Sequence, residues 1–95
     1  MTYEWDPAKA AANVKKHRVT FEEAASVFLD PSALTFWDPD HSEEEDREIT
    51  IGRSARQRVL FVAHTALEDR VRIISARRAT RQEQRQYEEE IGEAT

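Results

Sequence analysis

Nine arginines and no lysine fall between residues 53 and 85, against three acids, Glu68, Asp69 and Glu83. A guanidinium is planar and always charged, and it holds two oxygens of a phosphate or carboxylate at once, which an ammonium cannot. Arg72 is expected in the middle of a strand, on an open sheet face. Arg53 ends a neighbouring strand, where solvent exposure is the commoner fate. Arg77 and Arg78 stand where the last strand runs into a helix that carries Arg81. Each has a plain alternative: Arg72 can pair with an acid such as Glu48, and Arg77 or Arg78 with Glu83 or Glu88. His64 is the one histidine expected on a central strand, and imidazole is the commonest general acid or base near neutral pH. A buried, hydrogen-bonded histidine is the simpler reading. His17 closes the first helix, where a cation complements the dipole.

Other chemistries are absent from the pattern. The chain has no cysteine, so disulfides, thiolate nucleophiles and cysteine-held metals are excluded. His41 with Asp38 and Asp40 resembles a hard-cation set, but it lies in an acidic loop without a fixed scaffold, so no metal site is expected. No glycine-rich phosphate loop or Ser/His/Asp arrangement appears, and no cofactor is expected.

The net charge of −5 is an average over opposed blocks. Residues 38–48 hold seven acids against Arg47, residues 53–85 are net positive, and residues 88–93 add four glutamates. An acidic mean is therefore a poor guide to the partner. At 95 residues the chain is expected to form one domain, 1–95, with residues 91–95 frayed. Its apolar runs are far shorter than the roughly 20 residues a membrane helix needs. No charged-then-apolar start points to secretion either, so a cytoplasmic, membrane-free protein is expected.

The elements that must position these side chains can be read in order. Residues 1–5 are extended. Asp6-Pro7 opens a helix to about His17, with Pro7, Ala10, Ala11 and Val14 as its apolar stripe and Lys9, Asn13 and Lys16 opposite. Thr20-Phe21-Glu22-Glu23 is a capping box for a second helix, which Asp30-Pro31 stops. Residues 33–37 read as a strand, followed by an acidic loop and strands over 48–53, 58–65 and 70–76. Thr80 to Glu83 forms a second box before a last helix with only Tyr87 and Ile91 to bury. The order β-α-α-β-β-β-α predicts an α+β fold, an antiparallel sheet with two N-terminal helices on one face.

A turn at Glu68-Asp69 would pair Thr65 with Arg72, Ala63 with Ile74 and Val62 with Ser75. One face then carries Leu60, Val62, His64, Val71, Ile73, Ser75 and Arg77 under the helices. The other carries Val59, Phe61, Ala63, Thr65, Arg72, Ile74 and Ala76. A slip of one residue would exchange them.

The opening Tyr3-Glu4-Trp5-Asp6-Pro7 with Lys9, Asn13, Lys16 and His17, then Val19-Thr20-Phe21-Glu22-Glu23-Ala24, resembles the BrnT toxin family. Ile49-Thr50-Ile51-Gly52-Arg53, Arg72-Ile73-Ile74-Ser75-Ala76-Arg77-Arg78 and Glu88 after Tyr87 carry the resemblance onward, over roughly residues 3–90. It implies a RelE-like ribonuclease toxin of a type II toxin–antitoxin system. The implied partner is a ribbon-helix-helix antitoxin that binds promoter DNA, so the toxin meets DNA only indirectly. Where the family has glycine after its Lys-His pair this chain has Arg18, which implies strain or a different helix end.

With RNA as the implied substrate, the arginines acquire roles. Cleavage without a metal needs a base for the ribose 2′-hydroxyl, cations for the phosphorane and a proton for the leaving 5′-oxygen. Arg72, Arg77, His64 and Arg53 are the catalytic candidates, and Arg78, Arg81, Lys16 and Tyr87 the RNA-binding ones. Tyr87 could stack on a base, but on so polar a helix it serves more naturally as an anchor. A non-catalytic module that holds a DNA-binding antitoxin and tunes repression is the alternative. The thin apolar edge of the last helix further predicts a movable flap over residues 81–95.

Overall fold

The computed structural model describes residues 2–40 and 46–94, with side chains as far as Ile91. In chain order the elements are β1 (Thr2–Glu4), α1 (Pro7–His17), α2 (Phe21–Ser26), a 3-10 turn (Val27–Leu29), β2 (Leu34–Trp37), β3 (Arg47–Arg53), β4 (Val59–Ala66), β5 (Arg70–Arg78) and α3 (Arg81–Ala94). This is the α+β order expected. The sheet runs β1-β5-β4-β3-β2. Strands β2 to β5 form an antiparallel meander, and β1 adds a parallel edge to β5. His41 lies outside the described residues.

The helix ends follow their residues. Asp6 accepts from the Ala8 amide at 2.8 Å and Pro7 fills the first turn, so α1 starts there. At its other end Arg18 adopts φ 60° and ψ 34°, and its amide donates to Val14 O at 2.9 Å. The left-handed cap is thus made by arginine, with the Cβ strain glycine would avoid. Thr20 accepts from the Glu23 amide at 3.0 Å. The Glu23 carboxylate does not turn back to the helix start. It is buried, accepting from Ser54 Oγ at 2.6 Å and from both Nε and Nη2 of Arg58. Those Arg58 bonds outweigh burial and hold its carboxyl below the usual range.

The buried side of α1 differs from the expected stripe. Val14 is 39% exposed, whereas Asn13 is buried. Its Nδ2 donates to Val19 O at 2.9 Å and Ala76 O at 2.8 Å, and its Oδ1 accepts from the Ala76 amide at 3.1 Å. Strand β1 covers β5 only at Arg70 to Arg72, so Asn13 completes the edge further along. A side-chain amide there replaces a missing strand.

Two cores flank the sheet. Val19, Phe21, Ala24 and Val27 pack on Leu60, Val62, Ile73 and Ala76 on one face. On the other, Tyr87 of α3 packs on Ile49, Ile51, Val59 and Ala63, with Ile91 beside it. In this structure the last helix is docked on the sheet through Tyr87. Tyr87 is 2% exposed and its hydroxyl donates to Asp30 Oδ2 at 2.5 Å. The Thr80–Glu83 box closes in both directions, at 2.8 and 3.2 Å. The backbone of α3 is helical to Ala94.

The last hairpin starts in the expected register and then leaves it. Thr65 pairs with Arg72, but a bulge at Ala63/His64 sets Ala63 opposite Ser75, Val62 opposite Ala76 and Phe61 opposite Arg77. Ile74 is the extra residue. Beyond it Ala76 joins the core under α1 and α2, and Arg77 turns to the α3 face.

Candidate active site

The face that carries α3 also carries Arg72, Arg77 and Arg53. At one corner Arg72 sits in register with Glu4 on β1 and Thr65 on β4. It stands on the second strand from the edge, near the β4–β5 turn, not at the centre of the sheet. Its side chain is half-exposed, with Nη1 3.8 Å from Glu4 Oε2. Arg70 takes the other oxygen, Glu4 Oε1, and bonds Asp69 at 2.9 Å. Two cations of β5 thus meet around one carboxylate of β1.

At the far end of β5, Arg77 lies over Phe61, its guanidinium carbon 3.9 Å from the ring centroid. Glu83 accepts from its two terminal nitrogens at 2.8 and 3.0 Å. Burial alone would raise the Glu83 carboxyl, but Arg77 and the Thr80 amide hold it below its ordinary range. Arg53 is at the same end, 5.9 Å over the Tyr87 ring, with Nη1 donating to Gln57 O at 3.3 Å.

Arg72 is opposite Thr65 and Arg53 is opposite Val59, six residues apart on β4. At ~3.3 Å per residue that is roughly 20 Å, so the two cannot grip one phosphate. Arg72 and Arg77 are about 13 Å apart by the same measure, Thr65 to Phe61. A single extended strand of RNA lying along β5 could touch both; a lone phosphate could not.

Several candidates do not join this face. His64 lies on the helix side, 3% exposed, with Nε2 2.7 Å from Thr50 Oγ1 and its ring edge-on to Phe28. Burial pushes its pKa down to about 4. Its Nδ1 has no hydrogen-bond partner among the described residues. Tyr87 is sealed in the core, and burial together with the Asp30 carboxylate raises its hydroxyl pKa. Neither side chain can reach a substrate without rearrangement. Lys16 is exposed on α1, in the opposite layer. Arg78 is exposed opposite Leu60, and Arg81 is exposed at the start of α3, where a surface cavity of about 430 Å³ is lined by Arg81, Gln84, Arg85 and Glu88.

Glu4 is the residue that sequence reasoning missed. Its sequence position gave no sign of β1 pairing with β5, the pairing that sets it beside Arg72. Among the described residues no three His, Asp or Glu side chains converge as metal ligands. No helix among them is long and apolar enough to cross a membrane.

The model of the BrnT ribonuclease toxins of type II toxin–antitoxin systems matches residues 5–83. The chain belongs to the BrnT family. The 1.1 Å crystal structure of the Brucella abortus ribonuclease toxin BrnT has the same fold, with a TM-score of 0.66 over 85% of this chain and 100% of that one. Sequence identity with it is 22%, so the likeness speaks for the fold alone. No curated protein matches the sequence. Membership makes ribonuclease toxin the family activity and an antitoxin the partner. The match takes in Arg53, Arg72, Arg77 and Glu83 and ends before Tyr87, while Glu4 lies just ahead of it.

Proposed function

We propose that this BrnT-family chain is an endoribonuclease that needs no metal, acting in the cytoplasm as one domain to block translation. The ribose 2′-oxygen attacks the adjacent phosphorus and the bond to the 5′-oxygen breaks, leaving a 2′,3′-cyclic phosphate and a 5′-hydroxyl. A ribbon-helix-helix antitoxin restrains it, and promoter DNA is met only through that antitoxin. The observation that supports this reading is that Arg72 and Arg77, at opposite ends of β5, present their guanidinium groups on one face of the sheet.

In this reading Arg72 takes the charge that builds on the phosphorane, and Glu4 Oε2 beside it accepts the 2′-hydroxyl proton. Water at this open corner protonates the departing 5′-oxygen. Arg77, Arg81 and Arg53 hold neighbouring phosphates, whereas Arg78, opposite Leu60 on the helix side, and Lys16 add only long-range attraction. His64 and Tyr87 serve the framework. RNA incubated with the purified chain in EDTA should yield fragments ending in 2′,3′-cyclic phosphate. Arg72→Ala should cut the rate about 100-fold with the fold intact. Uncut RNA from a folded, antitoxin-free sample would reject the reading.

One observation favours the non-catalytic alternative: Arg77 is already engaged by Glu83 and Phe61. A chain that only holds an antitoxin would cause no growth arrest when expressed alone. Arrest that Arg72→Ala abolishes supports the enzyme.

A further inference from the structure

Strand β2 ends the sheet, and among the described residues no strand pairs with its outer edge. The Asp38 amide donates to Arg47 O at 3.0 Å, and Phe36 is opposite Ile49. The alternation of an antiparallel ladder then turns the backbone groups of Leu34 and Phe36 toward β3, and those of Thr35 and Trp37 outward. Open edges are normally blunted by lysine, proline, a bulge or an inward charge. Leu34-Thr35-Phe36-Trp37 has none of these, and it leaves Trp37 61% and Phe36 37% exposed. The other edge, β1, is three residues long, and Tyr3 within it and Trp5 just after it pack on Phe28 and Phe21.

Charge selects what can pair there. Six acids and no lysine or arginine occupy residues 38–46, directly after β2. A second copy of the chain would carry the same acidic charge after its own β2 and be repelled. A basic strand would be attracted.

We propose that β2 is the docking edge for a basic, extended segment of the antitoxin, added as a sixth strand through the outward groups of Thr35 and Trp37. Alternate apolar side chains of that segment cover Phe36 on one face and Trp37 on the other. The proposal rests on the antitoxin partnership above, but not on catalysis.

Amide hydrogen exchange of the chain, free and in complex with its cognate antitoxin, tests it. The Thr35 and Trp37 amides should exchange at least 10-fold more slowly in the complex. Trp37→Pro deletes an outward donor and the indole while sparing the inward ladder, a substitution edge strands tolerate. It should weaken antitoxin binding about 100-fold and leave RNA cleavage unchanged. Trp37→Ala keeps the amide and should lose less, which keeps the test open if the proline variant misfolds. Unprotected amides in the complex, or wild-type binding by folded Trp37→Pro, would overturn the proposal. So would a dimer of the free chain that protects the same amides. A chain that cuts no RNA yet binds antitoxin through β2 would reject catalysis alone.

Discussion

Arg77 and Glu83 face each other through two parallel charge-assisted hydrogen bonds, and Glu83 Oε1 also accepts from the Thr80 amide at 2.8 Å. One carboxylate therefore starts α3 and neutralises a cation of the candidate RNA face. The helix and the site are coupled through it.

Glu83→Gln should separate these roles. Removing its charge frees Arg77, and RNA affinity at low salt should rise several-fold with a steeper salt dependence. The helix loses its charged cap, so stability should fall by about 1–2 kcal/mol in urea unfolding. Unchanged affinity would mean that Arg77 is not part of the RNA surface.

His64 should make the fold sensitive to mild acid. Its pKa is about 4 when folded, against 6.5 for the free side chain. The unfolded chain therefore takes up a proton between these values and the folded chain does not. The stability is complete above pH 6.5 and is lost as pH falls toward 4. At pH 4.5 the loss should be roughly 2–3 kcal/mol relative to pH 7, an upper figure for complete burial. The difference between wild type and His64→Gln across that window isolates this contribution, and NMR titration of the ring reads the pKa directly.

Asn13→Ala should be among the costliest polar truncations in the molecule. It strands the Ala76 amide, the Ala76 carbonyl and the Val19 carbonyl in a dry place. At about 1–3 kcal/mol for each unsatisfied group, partly relieved by relaxation, a loss of roughly 3 kcal/mol is expected in denaturant unfolding. Asn13→Asp should be no better, since a carboxylate would face two carbonyl oxygens.

Arg18→Gly should stabilise. The left-handed cap costs a residue with a Cβ about 1–2 kcal/mol, part of which glycine returns as extra freedom in the unfolded chain. A net gain of about 0.5–1 kcal/mol, or a few degrees in Tm, is expected. The Arg18 carbonyl still accepts from Arg58, because that bond uses the backbone.

Helix starts, strand order in the meander and the start of the last hairpin were legible because each is encoded locally. Asp6-Pro7, the Thr20 and Thr80 boxes and the Glu68-Asp69 turn need only neighbours in sequence. The buried side of α1 was not, because Asn13 is polar and its partner Ala76 is 63 residues away. Hydropathy places such an amide in solvent; only the gap beside β5 explains its burial. The same limit hid Glu4, whose role depends on β1 finding β5. His64 was readable as a central-strand histidine, and its burial as the simpler reading. Arg77 was assigned to the wrong face for another reason: strict alternation contains no sign of an inserted residue.

That inserted residue, Ile74, makes β5 two half-strands with opposite phase. Residues before it and after it answer to different parity rules, so odd numbers face the helices at Ile73 and turn from them at Arg77. The chemistry at the helix end of β5 is thereby uncoupled from that at the turn end. Deleting Ile74 would remove the bulge and restore a single phase, with Ala76 still beneath α1 and α2 and Arg77 still on the α3 face.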